Sequence, residues 1–106
     1  MEEKKVIIIG TGIGGLSVAG FLANNGYSVE MHDKQDQVGG KATKLELDGF
    51  RFDKGPSLMT MPHVMKDFFS EVGESIDHHL ELMALESICR YFWSDGTSIE
   101  EPADHE

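Results

Sequence analysis

VIIIGTGIGGLSVAGFLANNGYSVEMHDK, running from Val6 to Lys34, is the stretch on which the fold turns. Val6–Ile9 is a continuous β-branched run, which suits a parallel strand buried on both faces. It ends in the glycine turn Gly10-Thr11-Gly12-Ile13-Gly14-Gly15. Leu16, Ala19, Leu22 and Ala23 then fall at helical spacing, and Asn25-Gly26 is a stop signal. Tyr27 to His32 reads as a second strand, closing a βαβ unit of about 30 residues. The fold class that follows is α/β, with a Rossmann-like βαβ core over residues 5–34.

The spacing of the turn has a physical meaning. A phosphate held by backbone needs a turn free of Cβ atoms, unpaired N–H groups and the positive end of a helix. Gly10 permits the sharp exit from the strand, Gly12 lets backbone approach a pyrophosphate, and Gly15 lets the helix pack close to the strand. The helix beginning near Ile13 and Gly14 offers its free N–H groups and its dipole. Asp33 stands at the end of the second strand, where a carboxylate accepts hydrogen bonds from ribose hydroxyls. A merely structural glycine turn leaves the placing of Asp33 unexplained. Lys34 follows Asp33, yet the carboxylate would repel a 2′-phosphate, which argues against an NADP site.

Outward from this core, Gln37-Val38-Gly39-Gly40-Lys41-Ala42-Thr43 adds a second glycine pair and a cation close to the same site, of use to a long cofactor bound extended. An ordinary loop is the competing reading of Gly39-Gly40. Thr43–Leu47 alternates, Asp48-Gly49 is a hairpin turn signal and Phe50–Phe52 is the returning strand. Gly55-Pro56-Ser57 breaks the pattern. From Pro62, residues Val64, Met65, Phe68, Phe69 and Val72 form one apolar stripe, predicting a helix packed on its sheet, with Phe68 and Phe69 in the core and Gly73 as the stop. Leu80–Leu85 and Ile88–Trp93 are predicted strands, and Asp95-Gly96 turns into Thr97–Ile99. The extension thus covers residues 35–99, and an acidic tail without structure is expected over 100–106.

The totals exclude several classes. The chain has 106 residues, fitting one domain. Nineteen acidic against nine basic residues give a net charge of −10. Nucleic-acid binding would need a basic face, and an anionic bilayer gains nothing from this charge. Val6–Ile9 is too short for a signal-peptide core or a membrane span, so the expected location is cytoplasmic, soluble or peripheral to a membrane. The single cysteine, Cys89, sits in a predicted strand and reads as a buried, inert thiol. His78-His79 diverge on any regular backbone and suit a solvated loop better than a metal, so no metal site is expected. Met59, Met61 and Met65 read as packing for the Pro62 helix. Glu71, Glu74, Asp77, Glu81 and Glu86 form no acid–base pair, and no catalytic side chain is assigned.

Taken together, the glycine turn with its strand and helix, then VGGKAT, then Gly49-Phe50-Arg51-Phe52-Asp53-Lys54-Gly55-Pro56-Ser57, resemble the two-dinucleotide-binding-domain flavoproteins, and most nearly the phytoene (carotenoid) desaturases. Arg90 to Thr97 is similar to that family's strand–turn–strand ahead of its substrate region. The resemblance covers Lys5 to Ile99. It implies FAD, with Gly10, Gly12 and Gly15 on the pyrophosphate, Asp33 on the adenosine ribose, and Gly55, Pro56 and Ser57 near the flavin ring. Lys41 stands where the family usually has Arg, keeping the charge but losing the planar fork. Asp33 replaces the more usual Glu.

By that resemblance the activity would be desaturation of a long apolar isoprenoid, with the flavin accepting a hydride, and with peripheral membrane contact of the whole enzyme. Amine-oxidase-like and retinol-saturase-like flavoenzymes share the same front half. Family members run to several hundred residues, so the expectation is an incomplete domain, the N-terminal piece of such an enzyme. On that expectation a nucleotide-binding module inactive on its own, and self-associating through uncovered edges, is the non-enzymatic alternative. A classical NAD dehydrogenase domain would continue the βαβ alternation after residue 40, where a hairpin and a Gly-Pro break stand instead.

Overall fold

The computed structural model describes residues 4–103. Its elements in order are β1 (Lys5–Ile9), α1 (Ile13–Asn24), β2 (Ser28–His32), β3 (Lys44–Leu47), β4 (Phe50–Asp53), α2 (Pro62–Glu71), a single 3-10 turn (Ile76–His78), β5 (Ser87–Phe92) and β6 (Ser98–Pro102). The strands pair as three separate two-stranded sheets.

β1 and β2 are parallel, with Lys5 opposite Ser28 and Ile9 opposite His32. The parallel pairing requires a crossover, and α1 supplies it. Its C-terminus is closed by Asn25 and by Gly26 at φ +81°, whose N–H donates to the Ala23 carbonyl. The Gly26 conformation is one that L side chains avoid, which is why the helix stops there. Burial of β1 differs from the two-faced expectation. Val6 and Ile8 are half-buried under α1, while Ile7 and Ile9 are 58% and 82% exposed. One helix covers one face, and among the described residues no second layer lies on the other.

The β3–β4 hairpin is as expected. Asp48 and Gly49 both take positive φ, as a two-residue hairpin turn demands. Its register sets Leu45 opposite Phe52 and Leu47 opposite Phe50, with Lys44–Asp53 and Glu46–Arg51 on the other face. All four apolar residues are exposed.

The Pro62 helix departs from expectation in its partner. α2 lies against α1, not against a sheet. The rings of Phe21 and Phe68 meet edge-on at 5.1 Å, and Asn24 Nδ2 donates to the Glu71 carbonyl at 3.1 Å. Gly20 makes the approach possible, since a Cβ there would lie 2.8 Å from Phe68 Cζ. Phe68 and Phe69 are half-buried, not core, and Met59 and Met61 are exposed and pack on no sheet.

Three further expectations are corrected. Leu80–Leu85 is not a strand: its alternating leucines have no neighbouring strand to pair with, and a lone extended segment has no ladder to satisfy its backbone. The acidic tail is ordered as far as it is described: Glu100, Glu101 and Pro102 belong to β6, opposite Arg90, Cys89 and Ser87. Arg90 donates to Glu100 at 3.1 Å and the Tyr91 hydroxyl to Glu101 at 2.6 Å, so β5 answers the charge of the tail. Residues 104–106 lie outside the described residues. Cys89 is on β5 as expected but is exposed, because that hairpin has no covering layer.

The surface measures the openness of the whole. The chain exposes 9175 Å², where a compact monomer of this mass exposes roughly 5900 Å². Its radius of gyration is 18.6 Å, against about 13 Å for a compact domain of this length. Among the described residues only Ile76 and Thr11 are buried.

Candidate functional site: the glycine turn and the segments that close on it

The turn leaves β1 at Gly10, whose φ of +106° is open to glycine and strained for other residues. Its N–H donates to the His32 carbonyl at 2.7 Å, extending the parallel pairing by one step. Gly12 caps α1 in an extended conformation with no side-chain cap. The first-turn amides of Ile13, Gly14 and Gly15 have no acceptor within the helix, by helix geometry alone. No acidic side chain stands in the helix's own first turn, so the positive end of the dipole is not neutralised from within the helix. A Cβ added at Gly10 or Gly14 would meet nothing within 4 Å, so the space above the turn is open. At Gly15 a Cβ would run into the Gly10 carbonyl. Gly15 is therefore a packing glycine, and the others line a backbone cradle. An uncapped, uncharged helix end over Cβ-free backbone has the chemistry to receive a pyrophosphate.

Asp33 follows β2 and lies beside the turn. Its Oδ2 accepts from both the backbone N–H and the hydroxyl of Thr11, each at 2.7 Å, and its Oδ1 accepts from the Gln35 N–H at 2.8 Å. These bonds, the Thr11 hydroxyl first, hold its carboxyl down at about 2. Asp33 is thus ionised at neutral pH, exposed, and fixed in one orientation. A fixed carboxylate is an acceptor for hydroxyls and repels phosphate. Lys34, next to it, is exposed.

The second glycine pair closes onto the first turn. Gly39 N–H donates to the Thr11 carbonyl at 2.9 Å. Gly40, at φ +61°, packs on Gly12, where a Cβ on Gly40 would lie 2.9 Å from the Gly12 Cα. Lys41 in turn presents its backbone carbonyl to Gly55, so closely that a Cβ on Gly55 would overlap it. The Lys54 N–H donates to the Thr43 carbonyl at 2.8 Å. Gly12, Gly40, Lys41 and Gly55 therefore form one chain of backbone contacts, and three segments far apart in sequence meet there. Pro56 and Ser57 follow, both exposed. An open groove of about 460 Å³ borders this junction, lined by Gln37, Val38, Ala42, Thr43, Arg51 and Pro56 among others.

The sequence did not single out Thr11, which proves the most connected residue of the site. A hydroxyl residue between two turn glycines, beside a carboxylate at the end of the neighbouring parallel strand, is the signal that points to it. Among the described residues no group of three metal-ligating side chains comes together, and no helix is long and apolar enough to cross a membrane.

With this geometry described, the likeness to known proteins is direct. Residues 8–72 match the family described as NAD(P)-binding Rossmann-like domain. Over 103 residues the chain is 46% identical to 1-hydroxycarotenoid 3,4-desaturase of Flavobacterium sp. (strain P99-3), covering 97% of this chain and 21% of that protein. It is 43% identical over 106 residues to carotenoid 3,4-desaturase of Haloarcula japonica, covering 100% of this chain and 21% of the relative. The chain thus spans about one fifth of the length of these curated relatives. Among solved structures, putrescine oxidase bound to putrescine aligns with a TM-score of 0.60 over 99% of this chain and 23% of that one, at 24% identity, a likeness of fold alone. The chain belongs to the NAD(P)-binding Rossmann-like domain family.

Proposed function

We propose, from that membership and from the junction of glycine segments, that the chain holds the ADP half of FAD within a flavin-dependent desaturase of long isoprenoids. The observation that carries the reading is the meeting of Gly40 with Gly12. In an ordinary NAD domain the first glycine turn suffices. Here a second glycine loop and the segment at Gly55 are drawn to the same place, which suits a longer cofactor lying extended across all three.

The roles divide by chemistry. Gly10, Gly12 and Gly14 supply Cβ-free backbone, and Ile13, Gly14 and Gly15 the helix-end N–H donors, for the pyrophosphate. Gly15 acts by packing. Asp33 accepts a hydroxyl of the adenosine ribose. Lys34 and Lys41 lend positive charge, and Gly39 and Gly40 bring a second run of backbone to the cofactor. Gly55, Pro56 and Ser57 lie on the flavin side. When bound, the flavin supplies the two-electron chemistry, accepting a hydride from substrate. The chain's own residues bind and orient it.

Both named relatives act on carotenoids, by their names, and this similarity supports an apolar isoprenoid as the substrate of the whole protein. Such a substrate resides in a bilayer, so the whole protein would work in the cytoplasm at a membrane surface, without nucleic acid as a partner. Taken alone, the 106-residue chain would bind and not turn over, and its uncovered faces would drive self-association. Calorimetric titration of the chain with FAD, NAD and NADP in turn tests the reading. Saturable binding of FAD, with NADP rejected by the Asp33 carboxylate, is expected. Tighter binding of NADP than of FAD would sink it.

A further inference from the structure

Asp33 is not a free carboxylate waiting for a ribose. Thr11 takes both hydrogen-bonding positions of its Oδ2, with the backbone N–H and the hydroxyl each at 2.7 Å, and Gln35 N–H bonds Oδ1 at 2.8 Å. Thr11 itself is only 5% exposed, the single buried polar residue among those described. Its carbonyl accepts from Gly39 N–H at 2.9 Å. Thr11 is therefore held by backbone on one side and holds Asp33 on the other.

We propose that Thr11 is a positioning residue for nucleotide recognition: its hydroxyl fixes the Asp33 carboxylate so that Oδ1 alone faces a ribose hydroxyl. The proposal rests on the reading of Asp33 as the ribose acceptor. A carboxylate oxygen offers about two lone-pair sites, and Thr11 fills both on Oδ2. A ligand hydroxyl must then meet Oδ1, so Asp33 grips one hydroxyl and not the diol as a pair. Without the Thr11 hydroxyl, only the Thr11 and Gln35 amides hold the carboxylate, Oδ2 regains an open position, and the geometry of the contact with the ribose loosens. The low proton affinity of Asp33 has the same main cause, the Thr11 hydroxyl.

The test compares wild type with Thr11→Val, which keeps shape without the hydroxyl, and Thr11→Ser, which keeps the hydroxyl. Binding of ADP and of 2′,3′-dideoxy-ADP is measured for each by calorimetry. Thr11→Val should weaken ADP by about tenfold, the worth of one lost hydrogen bond to a charged group. It should leave dideoxy-ADP unchanged, and Thr11→Ser should restore ADP. Equal weakening of both nucleotides by Thr11→Val would mark Thr11 as a structural residue and overturn the proposal, as would no weakening at all. A second readout needs no ligand. Carbon NMR titration of the Asp33 carboxyl should show its midpoint rising in Thr11→Val and returning in Thr11→Ser, and an unmoved midpoint overturns the hold of Thr11 on Asp33. If the folded wild type bound neither nucleotide, the ribose reading of Asp33 would fail, and the ribose half of this proposal with it. The NMR titration would still decide the Thr11–Asp33 link.

Discussion

Gly40 packs directly on Gly12, so that a Cβ on Gly40 would lie 2.9 Å from the Gly12 Cα, and Gly40 holds φ at +61°. Two independent constraints thus fall on one residue. Any L side chain at Gly40 pays backbone strain and also pushes the second glycine loop off the first turn. Gly40→Ala should destabilise the chain by about 2 kcal/mol. It should also weaken dinucleotide binding, because the loop carrying Lys41 would move. Urea unfolding and ligand titration of the same variant check both halves.

Gly14 and Gly15 are neighbours with opposite expectations. Gly14 has open space where a Cβ would go, so Gly14→Ala in the first turn of α1 should stabilise by about 0.5–1 kcal/mol through helix propensity. Gly15→Ala drives a Cβ into the Gly10 carbonyl and should cost about 3 kcal/mol. Thermal unfolding of the pair separates the packing glycine from the cradle glycine.

Asp33 should titrate at about 2, below the ordinary 3.8, because the Thr11 hydroxyl and the Gln35 and Thr11 amides favour its ionised form. The sign follows from a depressed folded value. The stabilisation from these bonds is fully present above pH 3.8 and is lost as pH falls through about 2. Asp33 therefore contributes no pH dependence to binding near neutrality. An NMR titration with its midpoint near 3.8 would show that the Thr11 bonds do not form in solution.

Much of this was legible in the sequence, and the failures share one cause. The βαβ unit could be read because Val6–Ile9, the glycine turn and Asn25-Gly26 are each strong local signals, and Asp48-Gly49 fixes its hairpin in the same way. Residue pairs that depend on distant partners could not be read. Leu80–Leu85 has a strand's alternation but no strand beside it. Glu100 and Glu101 look like a solvated tail until Arg90 and Tyr91 are placed opposite or beside them. Cys89 has the neighbours of a core residue on a hairpin that nothing covers. At the site, the glycines announced themselves by spacing, whereas Thr11 matters only because Asp33 and Gly39 come to it in space.

Leu45, Leu47, Phe50 and Phe52 share one face of the β3–β4 hairpin and are all exposed. With Ile7 and Ile9 also uncovered, the isolated chain should self-associate at micromolar concentration. Sedimentation velocity should show species larger than the monomer, and Leu47→Glu with Phe50→Glu should shift the population towards monomer. A monodisperse wild-type monomer would count against this.

The most direct measurement is a titration of the purified chain with FAD, followed by flavin fluorescence, beside the Asp33→Ala variant. Circular dichroism first establishes that both are folded. Saturable FAD binding is expected, weakened by about 10- to 100-fold in Asp33→Ala, as loss of a hydrogen bond to a charged acceptor implies. A folded wild-type chain whose flavin signal never saturates, or a variant that binds FAD as well as wild type, would contradict an FAD site built on the glycine turn and Asp33.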